Sequence, residues 1–150
     1  MQQKSKILPP TYFYLLLILL IIFHFILPIL YFIKPPFSYL GVILIVFGIS
    51  INLQTDKLFR QKETTVKPYE KPSKLIREGP FTFSRHPMYL GMVLILLGIS
   101  ILLGSLITIL FPLLFFFVMQ LLFIPYEEKQ MQKQFKNEYT SYKKKVRKWI

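Results

Sequence analysis

The sequence predicts an all-α, polytopic integral membrane protein with about four transmembrane helices and a C-terminal amphipathic cytoplasmic helix. Three observations predict it. Residues 11–33 and 88–125 carry no charged side chain; apolar runs of that length match a hydrocarbon core of about 30 Å at ~1.5 Å per residue. The hydrophobic share of 53% gathers in such runs, which is more apolar surface than a soluble core of a 150-residue chain hides. The cations are one-sided: of 19 Lys and Arg, all but Lys34 fall at Lys4 and Lys6, within 57–85, or within 129–148.

With four spans those three places share one face and Lys34 stands on the other. This is the positive-inside pattern, and it predicts a cell-membrane protein with both termini cytoplasmic. A net charge of +12 arranged this way favours anionic headgroups as a partner. Nucleic acid is not expected, because no aromatic-basic recognition motif accompanies the charge. Without cysteine, disulfides and thiolate metal sites are excluded, and no metal is expected.

The first span is expected over 11–33, kinked at Pro28. It is too long for a signal-peptide core, and no small-residue cleavage site follows, so it reads as a retained span. Lys34-Pro35-Pro36 makes the external turn. The second span is expected over 37–53, and a polar connector rich in Lys, Glu and Pro over 55–86. The charge-free run 88–125 as one helix would reach about 57 Å, nearly twice the hydrocarbon thickness. It must fold back, and Gly104-Ser105 is the natural turn, giving spans at 87–103 and 105–125. His24, in the first span, is a helix-packing residue as readily as anything else.

The tail, 126–150, is expected as one amphipathic helix on the membrane surface or capping the bundle. Met131, Phe135, Tyr139, Tyr142 and Val146 recur at three- and four-residue spacing, which places them on one face. Lys143, Lys144, Lys145, Arg147 and Lys148 crowd its end, and Trp149 suits an interfacial anchor.

One internal echo joins the second and third spans. Tyr39-Leu40-Gly41 and Gly48-Ile49-Ser50-Ile51 reappear fifty positions later as Tyr89-Leu90-Gly91 and Gly98-Ile99-Ser100-Ile101. Identity among Ile and Leu comes cheaply, so the echo alone establishes no duplication. The glycines have meaning either way. Seven-residue spacing puts Gly41 with Gly48, and Gly91 with Gly98, on one helical face, a smooth strip for close packing.

Two clusters carry chemistry. At the mouth of the third span stand Arg85, His86 and Tyr89, with Pro87 suited to a first helical turn. Singly, Arg85 belongs to the one-sided cations and Tyr89 to the aromatic belt. Together they mark a site, since ionisable groups at a helix mouth in lipid are expensive to hold. Glu127-Glu128 lie just beyond the fourth span. They diverge by about 100° on a helix, so at most one readily faces a shared pocket. Alone they read as a dipole-favoured first turn.

Taken together, Leu75-Ile76-Arg77-Glu78-Gly79-Pro80-Phe81, Ser84-Arg85-His86-Pro87-Met88-Tyr89-Leu90-Gly91, Glu127-Glu128, Phe135, Glu138-Tyr139, Tyr142 and Val146-Arg147 resemble the isoprenylcysteine carboxyl methyltransferase family. More broadly they are similar to the membrane methyltransferases that include phospholipid N-methyltransferases. The resemblance covers about half the chain and is more specific for the superfamily than for a substrate. It implies one domain over 1–150 and S-adenosyl-L-methionine bound over the cytoplasmic ends of the last two spans. The implied cofactor contacts are Ser73, Lys74, Leu75, Ile76, Phe81, His86, Pro87, Met88, Tyr89 and Glu127. Arg85 and His86 would suit the cofactor carboxylate, and Glu127 or Glu128 would accept a proton from the acceptor.

Two positions depart from the family pattern. An arginine four residues before the first Glu, which holds a substrate carboxylate in prenylcysteine-type members, is Phe123 here. This favours a lipophilic amine, thiol or hydroxyl acceptor entering from the bilayer over a carboxyl one. The usual Phe-Gly of the tail is Phe135-Lys136, expected to be structural and neutral. Two other functions stay open: an NADPH-dependent membrane reductase of sterol-reductase type, and a non-catalytic adaptor whose basic tail is a lipid switch.

Overall fold

The computed structural model describes residues 7–27, 29–65 and 67–150. Among them the secondary structure is helical, with one isolated bridge between Tyr31 and Ser105. The helices are α1 (Pro9–Ile26), α2 (Leu40–Gln61), α3 (Pro87–Leu103), α4 (Leu110–Val118) and α5 (Ile124–Lys145). A π-helical turn, Met119–Phe123, joins α4 to α5. Three stretches are long and apolar enough to cross a membrane: Pro9–Ile26, Phe37–Gln61 and Leu106–Lys145. At 17 residues, α3 is apolar but shorter. Only 17% of the α1 window is buried within the protein, and Tyr14, Ile18 and Phe25 stand exposed along it. A soluble protein does not leave so large an apolar face open; the chain is an integral membrane protein.

The first span is shorter than 11–33. Leu27 precedes a proline, which disfavours the α region, and it leaves the helix at φ −134° with its N–H still on Phe23 O. The expected kink at Pro28 lies outside the described residues, as do Lys4 and Lys6. The chain then runs along the turn between α3 and α4. Phe32 N–H donates to Gly104 O at 3.0 Å and Leu106 N–H to Ile29 O at 3.1 Å. Gly104 caps α3 at φ 70°, and a Cβ there would collide with Ile33 O. The Gly104-Ser105 turn thus falls where the charge-free run needed one.

The second helix outlasts its expected end at 53 by eight residues, so the connector begins only after Gln61. Thr55, fully buried, bonds back to Ile51 O at 2.7 Å, and Asp56 pairs with Arg60 one turn on at 2.9 Å. Such i,i+4 pairs favour continuation.

The glycine strips meet. A Cβ on Gly48 would lie 2.6 Å from Gly91 O, and one on Gly98 2.5 Å from Gly41 O. Gly41 therefore faces Gly98 while Gly48 faces Gly91, so α2 and α3 run antiparallel and the two echoed segments pack on each other.

The tail is not one helix over 126–150. Glu128 and Lys143 lie fifteen positions apart, about 22 Å along a straight helix, yet they pair at 3.3 Å. The reversal is at Lys136, whose φ 42° and ψ −114° are non-helical. Those angles lie close to the first central residue of a II′ turn, a glycine-favouring position. Lys136 is thus not a neutral replacement for the family's glycine. The helix ends at Lys145, and residues 146–150 return toward α3 and α4.

The main core gathers Leu20, Leu96, Phe115, Met119 and Ile124, all fully buried, from α1, α3, α4, the π-helical turn and the start of α5. A second cluster joins Ile76 and Phe81 of the connector to Tyr139 and Tyr142, with Met131, Phe135 and Val146 packed around it. The aromatic stripe of the tail therefore covers the connector.

Candidate functional site

A short 3₁₀ turn, Gly79–Thr82, and Pro87 at the first position of α3 set the entry angle of the Arg85-His86 corner. Ser84, fully buried, accepts the His86 N–H at 3.2 Å and donates to Lys148 O at 3.3 Å. Tyr89 lies three residues beyond His86 on the same face, and their rings are parallel within 5° at 5.9 Å. Glu127 closes the first turn of α5 and Glu128 follows it.

The two clusters meet. Glu127 Oε2 lies 3.1 Å from His86 Nδ1, and the Tyr89 hydroxyl donates to Glu127 Oε1. Glu128 points elsewhere, as the ~100° divergence requires. Its Oε1 accepts from Arg85 Nε at 3.1 Å and Nη2 at 2.5 Å, and its Oε2 pairs with Lys143 at 3.3 Å. Arg85 is spent on structure: Nη1 also donates to Val146 O at 2.7 Å and Lys143 O at 3.3 Å, and its backbone N–H to Arg147 O at 3.0 Å. His86 Nε2 is shielded and lies 3.5 Å from Glu128, too far for a hydrogen bond, with no other partner among the described residues. Burial by itself lowers the His86 imidazole, but its contacts with the Glu127 and Glu128 carboxylates outweigh that and hold it above its ordinary value.

Beside this knot opens a cleft whose empty space, open mouth included, is about 850 Å³. Of the residues singled out from sequence, Lys74, Ile76, Phe81, Arg85, His86, Pro87, Met88, Tyr89 and Glu127 line it. Ser73 and Leu75 do not; they line a separate surface groove with Arg77 and Glu138. Glu128 sits behind the wall. Phe123 is buried in the main core, edge-on to Tyr12 at 5.6 Å and near Tyr69 at 6.3 Å, and is not in the lining.

Sequence reasoning missed the opposite wall. Thr65, Lys67 and Glu70 form a clip in which Lys67 Nζ donates to Glu70 Oε1 at 2.8 Å and the Thr65 hydroxyl donates to Glu70 Oε2 at 2.6 Å. The bond to Glu70 raises the Lys67 ammonium, and those from Lys67 and Thr65 lower the Glu70 carboxyl. No periodicity or motif marks this loop. Tyr139 and Tyr142 carried a signal, the aromatic stripe, but it pointed to packing. Both also line the cleft, and the Tyr142 hydroxyl is tied to Phe81 O at 2.7 Å.

The donor set fits S-adenosyl-L-methionine. One cleft offers a carboxylate at Glu127, a cation at Lys74 with no ion pair among the described residues, and the faces of Phe59, Phe81, Tyr89 and Tyr139. These match an ammonium, a carboxylate and a flat base joined through a sulfonium.

The family model described as phospholipid methyltransferase matches residues 37–138. No curated protein sequence matches. Among solved structures, the fold resembles a eukaryotic intramembrane Ras methyltransferase, isoprenylcysteine carboxyl methyltransferase, with a TM-score of 0.68 at 22% identity. That likeness covers 94% of this chain and 51% of the other, so the chain spans about half the length of the structure it matches. At this identity the likeness is one of fold.

Proposed function

Because the chain belongs to the phospholipid methyltransferase family, we propose that it transfers a methyl group from S-adenosyl-L-methionine to a lipophilic acceptor that reaches the cleft from the bilayer. The observation that carries this reading is the convergence of His86, Tyr89 and Glu127 on the cleft wall at the end of apolar helices.

The cofactor supplies a methyl group already activated on a sulfonium. What is left to the protein is alignment and exclusion of water. Glu127, oriented by His86 and Tyr89, suits the cofactor ammonium. Lys74 suits its carboxylate, a role that Arg85 is not free to take. Pro87 and Met88 form the floor, and Ile76 with the aromatic faces of Phe81 and Tyr89 packs the base and sulfonium. Ser73 and Leu75 act from behind Lys74 and Ile76, and Glu128 acts by holding Arg85. Glu127 is then the better placed of the two acids to take a proton from an amine, thiol or hydroxyl.

Four spans are part of the same reading, with α3 as the fourth. At ~26 Å it nearly matches the hydrocarbon thickness, and it lies antiparallel to α2. The cation-rich connector and tail are bound together by Arg77–Glu138 at 2.9 Å and Arg85–Glu128 around the first turn of α3. Lys34 stands by its last turn, next to Ile33 and Gly104. This favours a cytoplasmic cleft, cytoplasmic termini, a tail at the inner surface of the cell membrane facing anionic headgroups, and one domain over 1–150.

Equilibrium binding of labelled S-adenosyl-L-methionine to the purified chain in detergent tests the reading. Saturable binding, lost in Glu127→Ala, is expected. Binding of NADPH in its place would move the protein to the reductase class.

A further inference from the structure

The tail carries two features on one short segment. Tyr139 and Tyr142 form part of the cleft wall, and a few residues on, Lys144, Lys145 and Arg147 stand exposed with Lys148 half-buried. None of these four cations has an ion-pair partner among the described residues. Elsewhere exposed charges are partly paired, Asp56 with Arg60, Lys62 with Glu78, Lys67 with Glu70 and Arg77 with Glu138, and the exposed cations without an ion pair among the described residues, such as Lys57, Lys71, Lys74, Lys129 and Lys133, are spaced apart along the chain. What sets the tail end apart is density: four cations without an ion pair among the described residues fall within positions 144–148.

Its position is set by three anchors. Arg85 grips the carbonyls of Lys143 and Val146. The Trp149 indole donates to Gln120 at 2.8 Å and lies 4.6 Å from the Phe116 ring. Neighbours of Phe116 on the same helix, Leu113, Leu114 and Phe117, are exposed apolar side chains. The tail end thus lies against a helix whose apolar side chains face outward, with its cations a few residues from that contact.

We propose that residues 143–150 are a latch for anionic lipid headgroups, and that its seating on the membrane steadies Tyr139 and Tyr142 against the cleft. The cofactor half of this rests on the methyltransferase reading; the lipid half does not. The link between them is covalent and short. Tyr142 is tied to Phe81 O, and Lys143 directly follows it. Lipid that favours the seated tail must raise cofactor affinity, and cofactor must raise lipid affinity by the same factor. The ligand is a lipid headgroup phosphate, since Trp149 seats the tail end on an apolar helix with outward-facing Leu113, Leu114 and Phe117.

The test uses the full chain in nanodiscs of phosphatidylcholine alone or mixed with phosphatidylglycerol. Labelled S-adenosyl-L-methionine should bind about tenfold more tightly in the anionic discs, a coupling of about 1.4 kcal/mol. The gain should fall with salt and vanish in Lys144→Gln/Lys145→Gln, whose side chains touch neither cleft nor anchor. The chain has one tryptophan, Trp149, so its fluorescence reads the tail alone. Brominated phosphatidylglycerol should quench it more than brominated phosphatidylcholine, and the double variant should erase the difference. Equal cofactor affinity in both discs, an undiminished gain in the variant, or a gain reproduced by free glycerol phosphate overturns the latch. Absence of cofactor binding in both discs overturns the methyltransferase reading instead, and quenching then still decides the lipid contact.

Discussion

Gly48 of α2 and Gly91 of α3 face one another so closely that a methyl group on either would intrude on the other's carbonyl. A Cβ on Gly48 would stand 2.6 Å from Gly91 O, and one on Gly91 2.8 Å from Gly48 O. Backbone cannot retreat as a side-chain tip can. Gly48→Ala is therefore expected to lower stability by about 1–3 kcal/mol, the range for overpacking. Thermal unfolding in detergent measures it, and an unchanged midpoint would mean that the helices part easily. Since the helix mouth that holds His86 begins one turn before Gly91, cofactor affinity should fall with it.

The Tyr89 hydroxyl donates to Glu127, whose other oxygen faces His86. Tyr89→Phe removes one hydrogen bond to a charged group and keeps the ring, so roughly tenfold weaker cofactor binding is expected, about 1.4 kcal/mol. Isothermal titration reads it. Tyr142→Phe is the comparison: its hydroxyl serves Phe81 O, so the loss there should appear in stability.

Arg85 holds Glu128 and three carbonyls of the tail, with both side chains of the ion pair nearly buried at 7% and 11% exposure. Removing one partner of a buried pair strands the other. Arg85→Ala should destabilise by roughly 3–5 kcal/mol, and Arg85→Lys should recover little, because an ammonium cannot reproduce the planar fork. Limited trypsin digestion offers a local readout: both variants should be cut faster at Lys143–Lys145 than the parent chain.

How much of this was legible in the sequence depends on what kind of interaction fixed each part. The helix at 87–103 and the turn at Gly104-Ser105 followed from hydropathy and length, which act locally. The end of α1 did not, because residues 29–33 leave the helix to bond with the α3–α4 turn, and no local pattern announces a distant backbone partner. The meeting of His86 with Glu127 came from the resemblance, since their separation of 41 positions carries no spacing signal. The same resemblance put Ser73 and Leu75 in the cofactor set, though the fold turns both onto the outer groove. Lys67 and Glu70 were invisible, because a clip inside a loop has neither period nor motif.

His86 makes stability depend on pH. Its folded value is raised above the ordinary 6.5 by Glu127 and Glu128 against the opposing effect of burial. A group raised on folding contributes fully below its unfolded value and loses the contribution as pH rises through the folded one. The unfolding midpoint should therefore decline above about pH 6.5. His86→Gln should flatten that decline, because glutamine keeps a hydrogen bond but does not titrate. A decline that persists in the variant would assign the effect elsewhere.

Lys136 is where the chain reverses, at φ 42° and ψ −114°. A side chain pays steric strain in that region and glycine does not. Around it, Gln132 Nε2 bonds Lys136 O at 3.0 Å and Thr140 at 2.9 Å, so the turn is clamped from outside and does not need the lysine side chain. Lys136→Gly should then stabilise the protein by about 1 kcal/mol, the low end for relief of a disfavoured backbone. The opposite sign is expected one turn earlier: Lys133 lies within the regular part of α5, where glycine costs about 1 kcal/mol. Measuring the two variants side by side in detergent separates backbone geometry from loss of charge, because each removes one lysine. Equal shifts of the same sign would show that the reversal at Lys136 is not what distinguishes the two positions.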